Sequence, residues 1–335
     1  MNRMKGGVQS GTVRKRVMSG HGTSDDYAPD ISVVIATRGR PRELAACLEA
    51  LEKQTYYDFE IVVVDSAPPV GDESTREIAG RFNARYLREE RPGSSRARNL
   101  GAREAAAPII AFTDDDALPE PDWLQHITTE FEDPTIAAVV GKTLAIPSET
   151  EAASLFERTG GFVNGGAERS EFTRDTPSWF PFIAFHGLGM LANMAVRQSY
   201  FLRSRSEGWH GFDERLGRGS HIHGFDENYA LFSLVHEGKK VVYSPAVEVL
   251  HPGPAIMEEL RKEVRMNNSA GTAFFCLLAV EHPSYWGKLL EHLFTKVQSS
   301  GKIVERIPQL DFSLSERFAD RVRGMGWYVK AISGS

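Results

Sequence analysis

A mainly parallel α/β fold is expected from three features of the sequence. Between Ile31 and Asp116, short apolar runs alternate with amphipathic helical stretches. The runs lack the polar alternation of a half-exposed strand, which suits strands covered on both faces. Each major run ends in polar residues, where sheets of this kind place their ligands.

The elements follow in order. Residues 1–29 read as a disordered leader rich in Gly, Ser, Lys and Arg. Its weak basic arm (Arg3, Lys5, Arg14, Lys15, Arg16) suits peripheral contact with anionic lipid headgroups. Ile31–Ala36 reads as a buried strand. Pro41 opens a helix at its first position, and Leu44, Cys47, Leu48 and Leu51 give it one apolar face. Ile61–Asp65 is a second strand, Ser74–Phe82 a helix and Arg85–Leu87 a short strand. Residues 95–106 form a helix rich in Ala and Arg, and Ile109–Thr113 is a further strand leading into three aspartates. Residues 145–185 show little periodicity. His186–Phe201 is apolar with either helical or strand character, and 203–226 reads as a Gly- and His-rich loop. Asn228–Glu237 is a helix, and Lys240–Tyr243 opens a strand that ends at His251-Pro252. From Ile256 onward the pattern is helical.

Composition sets limits on function. The chain has 335 residues, 41% hydrophobic and 25% charged, enough for one large domain or two smaller ones. Lys and Arg total 39 against 45 Asp and Glu, a net charge of −6, so nothing neutralises a run of phosphates and nucleic acid is not an expected partner. The two cysteines, Cys47 and Cys276, cannot form a disulfide framework and suit buried thiols. No run approaches the ~18 apolar residues of a membrane span, and the N-terminus lacks the apolar core of a signal peptide. A cytoplasmic location, peripheral to the membrane at most, is the expectation.

The chemistry-bearing motifs narrow the field. The first strand is followed by Thr37-Arg38-Gly39-Arg40, not by a Gly-rich dinucleotide turn, and no P-loop occurs. Asp114-Asp115-Asp116 at a strand end is the strongest single feature. Three adjacent carboxylates repel one another unless a cation sits among them, and hard carboxylate oxygens suit Mg²⁺ or Mn²⁺.

Taken together, Ser32–Thr37, Ile61–Asp65, Ser95-Arg-Ala-Arg-Asn99, Ala111–Asp116, Ala192–Ala195, Gly211–Gly217, Gly224–Glu227 and His251-Pro252 carry a resemblance. In order and spacing, the region from Ile31 to Pro254 resembles the inverting, nucleotide-sugar-dependent glycosyltransferases of family 2. The resemblance implies a GT-A fold, with a Rossmann-like sheet flanked by helices. It divides the chain into a catalytic domain over 30–254 (a nucleotide-sugar half at 30–145, an acceptor half at 146–254) and a C-terminal helical extension over 255–335. That extension is an expected cap or homodimer surface.

The same resemblance implies roles. Thr37 and Arg38 border the nucleotide, Asp65 accepts a hydrogen bond from a uracil-type base, and Arg98 lies over the base or diphosphate. Asp114 and Asp115 face the ribose and donor sugar, Asp116 and His251 ligate Mn²⁺ or Mg²⁺, and Asn193 lines the sugar or acceptor pocket. The donor is a nucleoside-diphosphate sugar of the UDP or dTDP type, and the acceptor is unknown. A carboxylate must take the acceptor hydroxyl's proton. The family's usual order is Glu-Asp with the second residue as base, whereas this chain reads Asp226-Glu227. Glu227 falls in the base position when counted back from Gly238, and Asp226 is the alternative base or a helix cap.

Other readings stay open from the residues alone. A nucleotidyltransferase would want a Gly-rich loop with Arg and Lys after the first strand. A non-catalytic carbohydrate-binding protein would have lost the aspartates, the His or the base. His210, His221 and His223 share one Gly-rich stretch but not a known zinc spacing, and Trp209 suits either sugar stacking or a buried anchor.

Overall fold

The computed structural model describes residues 28–67, 73–177, 179–201, 203, 206, 208, 210–299, 310 and 312–333. The expected leader up to residue 27, its basic arm and Trp209 lie outside the described residues.

The first seven elements alternate as the sequence predicts: β1 (Ile31–Thr37), α1 (Pro41–Leu51), β2 (Phe59–Ser66), α2 (Ser74–Arg81), β3 (Arg85–Glu89), α3 (Ser94–Glu104) and β4 (Ile109–Asp114). Then come β5 (Leu118–Pro119), α4 (Trp123–Glu130), β6 (Ile136–Ala145), α5 (Glu151–Arg158), β7 (Ser170–Phe172), the one-turn α6 (Trp179–Pro181), β8 (Met194–Arg197), α7 (Asp226–His236) and β9 (Lys240–His251). Three helices close the chain: α8 (Met257–Glu281), α9 (Trp286–Ser299) and α10 (Leu314–Ser333).

The strands form a single sheet in the order β3-β2-β1-β4-β8-β6-β9-β5, with β7 also on β9. Strands β3, β2, β1 and β4 are parallel, as are β6 and β9. β8 runs antiparallel between β4 and β6, so the second half of the sheet is mixed. Periodicity does not single out β6 or β8, because both are short-range apolar runs that a helix could equally contain.

Alternation along the strands builds two cores. Val33, Ile35 and Val63 face the layer of α1 and α4, where Leu44, Cys47, Leu48, Leu51, Trp123 and Ile127 pack. Val34, Val62, Val64 and Phe112 face the opposite layer, with Ala97 and Ala102 of α3, Leu231 and Val235 of α7, and Phe274 and Leu278 of α8. Each fully buried side chain of this size contributes about 1.5–3 kcal/mol. The C-terminal segment is therefore not a separate layer: α8 supplies part of the main core. α10 crosses α8 at Gly324, where a Cβ would meet the Ser269 carbonyl oxygen at 2.2 Å. On its outer side α10 exposes Leu314, Phe318, Val322, Met325, Val329 and Ile332. Cys47 is buried as expected, while Cys276 is only partly buried.

Candidate active site

Strand register gathers the polar strand ends. Thr37 lies beside Asp65 in the β1–β2 pair, and Ala36 lies beside Asp114 in the β1–β4 pair. The two-residue β5 pairs antiparallel with β9, Leu118 opposite Leu250. That pairing brings His251, over a hundred positions away, to the aspartates just before β5. His251 Nε2 stands 3.2 Å from Asp116 Oδ1 and 3.6 Å from Asp114 Oδ2. One ligand atom from each of Asp114, Asp116 and His251 lies within 4.8 Å of the others.

The donor set fits a divalent cation. Nδ1 of His251 is 2.9 Å from the Pro252 carbonyl oxygen. A carbonyl can only accept, so Nδ1 carries the proton and Nε2 faces the carboxylates, the orientation a metal-ligating His needs. The Phe162 ring stands edge-on to the imidazole at 5.1 Å. Burial works to lower the His251 pKa, but the two carboxylates overcome it and raise it to about 10. Burial likewise opposes ionisation of Asp114, and Arg98 with His251 outweighs it, holding that carboxyl well below the usual range. Asp116 is also lowered against its burial, chiefly by His251. The imidazolium joins Arg98 and Arg40 in balancing the two carboxylates.

The middle aspartate behaves differently. Asp115 is 3% exposed, accepts from Thr37 Oγ1 at 2.7 Å and pairs with Arg40 at 2.8 Å. Burial pushes its carboxyl up to about 6 in spite of both partners. Its carboxylate is thus held at the β1 end by Thr37 and Arg40. Arg40 also reaches Asp116. Sequence reasoning chose Arg38 from this loop, yet Arg38 is exposed and has no ion pair among the described residues, whereas its second neighbour holds two of the three aspartates. The available signal was the second Arg of Thr-Arg-Gly-Arg, placed by the turn at Gly39 (φ +62°).

Arg98 links this cluster to the acidic pair. Its guanidinium donates to Asp114 at 2.6 Å and to Asp226 at 3.3 Å, and its side chain is 8% exposed. Two carboxylates draw Arg98 inward, and its place relative to a base or diphosphate stays an expectation of the resemblance. Ser95, one turn earlier on α3, donates to the same Asp226 oxygen at 3.0 Å. Asp226 is the first residue inside α7 and Phe225 takes the cap position, so the helix-cap reading is corrected. The residue before it, Phe225, has φ +64°, a left-handed conformation unusual for an aromatic residue. Its ring is held by stacking on Phe274 of α8, with centroids 4.9 Å apart. Glu227 follows, partly exposed, with its carboxyl pushed well above the usual range by burial and by the neighbouring Asp226.

Asp65 is 1% exposed, and Tyr86 donates to it at 3.3 Å. Asn193 is fully buried and does not line a pocket. Its Nδ2 donates to the carbonyls of Lys142 and Val247, both at 2.9 Å, and its Oδ1 accepts from Trp123 Nε1 at 2.8 Å. Those carbonyls flank the irregularity at which β9 gains extra residues over β6, between Gly141 and Lys142. Gly141 is required there, because a Cβ would come within 2.2 Å of the Val247 oxygen. Asn193 therefore clamps the bulge that aims the end of β9, and His251 with it. Asn193→Ala should cost about 3 kcal/mol or more, since three buried groups lose their partner. Urea unfolding checks this, and a loss under about 1 kcal/mol would contradict the clamp.

Residues 32–192 match the family model described as glycosyl transferase family 2. That match spans just under half of the chain. Among curated relatives, the chain is 33% identical over 106 residues to the glycosyltransferase AglE of Haloferax volcanii, covering 29% of this chain and 34% of that protein. It is 24% identical over 232 residues to the glucosyl-dolichyl phosphate glucuronosyltransferase of the same organism, covering 66% and 68%. The match thus spans about a third of the first of these relatives' length. Among solved structures, the mannosyltransferase PcManGT from Pyrobaculum calidifontis superposes with a TM-score of 0.54 at 18% identity, covering 91% of this chain and 88% of that one. TarS 1–349 from S. aureus superposes with a TM-score of 0.52 at 14% identity, covering 90% and 81%. At these identities the likeness is one of fold, and the fold is the GT-A arrangement that the sequence suggested.

Proposed function

We propose that this protein is an inverting glycosyltransferase that moves a sugar from a nucleoside-diphosphate sugar, of the UDP or dTDP type, to an acceptor hydroxyl. The observation that carries the reading is the chain Asp116–His251–Asp114–Arg98–Asp226, which sets three metal-type ligands beside the acidic pair. Asp114, Asp116 and His251 would hold Mn²⁺ or Mg²⁺. When bound, such a cation supplies Lewis-acid stabilisation of the charge that grows on the departing diphosphate. The structural neighbours lend support by their composition: PcManGT was solved with GDP-Man and Mn²⁺, and TarS 1–349 with UDP-GlcNAc.

Glu227 is the proposed base. Asp226 is occupied by Arg98 and Ser95, so the second carboxylate of the pair is the one left to receive a proton. Burial and the adjacent Asp226 raise the affinity of the Glu227 carboxylate for a proton. The acceptor oxygen attacks the anomeric carbon as its proton passes to the Glu227 carboxylate, and the bond from that carbon to the diphosphate oxygen breaks. A single displacement of this kind inverts the anomeric centre. Arg40, on the rim beside Asp115 and Asp116, is placed to meet negative charge at the cluster.

The test is nucleotide binding with and without metal. UDP should bind the full chain in Mn²⁺ and lose about tenfold or more of its affinity in EDTA or in Asp116→Asn, a difference of about 1.4 kcal/mol or more. Equal calorimetric affinity in all three would overturn the metal assignment.

A further inference from the structure

An open cavity of about 610 Å³ lies between the C-terminal helices and the loop that delivers α7. Glu258, Arg261, Lys262 and Arg265 reach it from one face of α8, Glu316, Arg323 and Trp327 from α10, and His223 from the loop. Four cations therefore face two carboxylates. Part of that charge is spent: buried Asp320 takes Arg265 at 2.9 Å and Arg323 at 3.4 Å. Lys262 has no ion pair among the described residues and is exposed to the cavity mouth.

Chain topology ties this cavity to the proposed chemistry. α8 begins six residues after His251, and His223 stands four residues before Glu227. Both walls are thus close in sequence to residues of the proposed site. His223 meets the Trp327 indole edge-on at 4.8 Å, so a ring face and an imidazole border the cationic patch. Guanidinium forks with an ammonium beside them are the side chains that recognise phosphate.

We propose that this cavity is an acceptor subsite for a phosphate-bearing molecule, with Lys262 and Arg323 holding the phosphate and Trp327 covering the group next to it. The proposal rests on the glycosyltransferase reading above and gives that reading an acceptor class. The phosphate could belong to a lipid headgroup or to a water-soluble sugar phosphate, and the chemistry of capture is the same.

The experiment titrates the full chain, saturated with UDP and Mn²⁺, with farnesyl monophosphate and separately with glucose 1-phosphate, by calorimetry. At least one probe should bind. Lys262→Glu and Lys262→Glu/Arg323→Gln should weaken it by about tenfold or more while both variants stay folded and UDP–Mn²⁺ affinity stays near wild type. Tighter binding of the farnesyl compound assigns a lipid source, and tighter binding of the sugar phosphate assigns a soluble one. Unchanged affinity in both folded variants, or binding of neither probe, would overturn the subsite. Failure of UDP–Mn²⁺ to bind the wild type would instead remove the glycosyltransferase reading, and a phosphate that still bound would then mark an anion site with no acceptor role.

Discussion

Glu227→Gln should abolish most sugar transfer, lowering turnover by about 10²–10⁴-fold while donor affinity stays nearly unchanged. The amide keeps the shape of the side chain but cannot take a proton. Asp226→Asn is expected to behave differently. It removes the charge that pairs with Arg98 at 3.3 Å and accepts from Ser95 at 3.0 Å, so its first effect is on the loop and on stability. Measuring transfer by both variants at saturating donor, alongside their urea midpoints, separates the two roles. An active Glu227→Gln beside a folded but dead Asp226→Asn would move the base to Asp226 and leave the glycosyltransferase reading standing. Product of retained anomeric configuration would remove the single displacement altogether.

Arg98→Ala should be the most destabilising single change near the site. The guanidinium is buried and bridges Asp114 and Asp226, so its loss strands two carboxylates at low solvent exposure. Breaking a buried pair in this way costs about 3–5 kcal/mol. Arg98→Lys should recover little of it, because one ammonium cannot reach along two directions as a planar fork does. Added Mn²⁺ should return part of the lost thermal midpoint in Arg98→Ala, since a cation held by Asp114 restores half of the missing neutralisation. A loss below about 1 kcal/mol in urea unfolding would contradict the bridging role.

How much of the site could be read from residues depends on which parts are local. Asp114-Asp115-Asp116 is a contiguous signal at the end of an apolar strand, and Thr37 and Asp65 mark neighbouring strand ends. Arg40 was passed over for Arg38 because sequence gives no side-chain direction after a turn. The two arginines are two residues apart, and only the geometry at Gly39 decides which one points at the aspartates. The resemblance pointed to Asn193 as a pocket residue, and the structure shows what no motif conveys: three long-range hydrogen bonds make it a clamp on β6 and β9.

By itself the sequence determined the alternating first half, because strand and helix periods are local patterns that packing on both faces then satisfies. It also singled out the aspartate run and the acidic pair, which the structure joins through Arg98. Only the tertiary structure decided that β8 enters the sheet antiparallel, that β5 pairs with β9 to bring His251 to Asp116, and that Arg98 turns inward between Asp114 and Asp226. It also decided that α8 belongs to the core and holds Phe225, and so the acidic pair, in place. These are contacts between residues far apart in the chain, set by register and by the balance of buried charge, and neither is written in any local window of sequence.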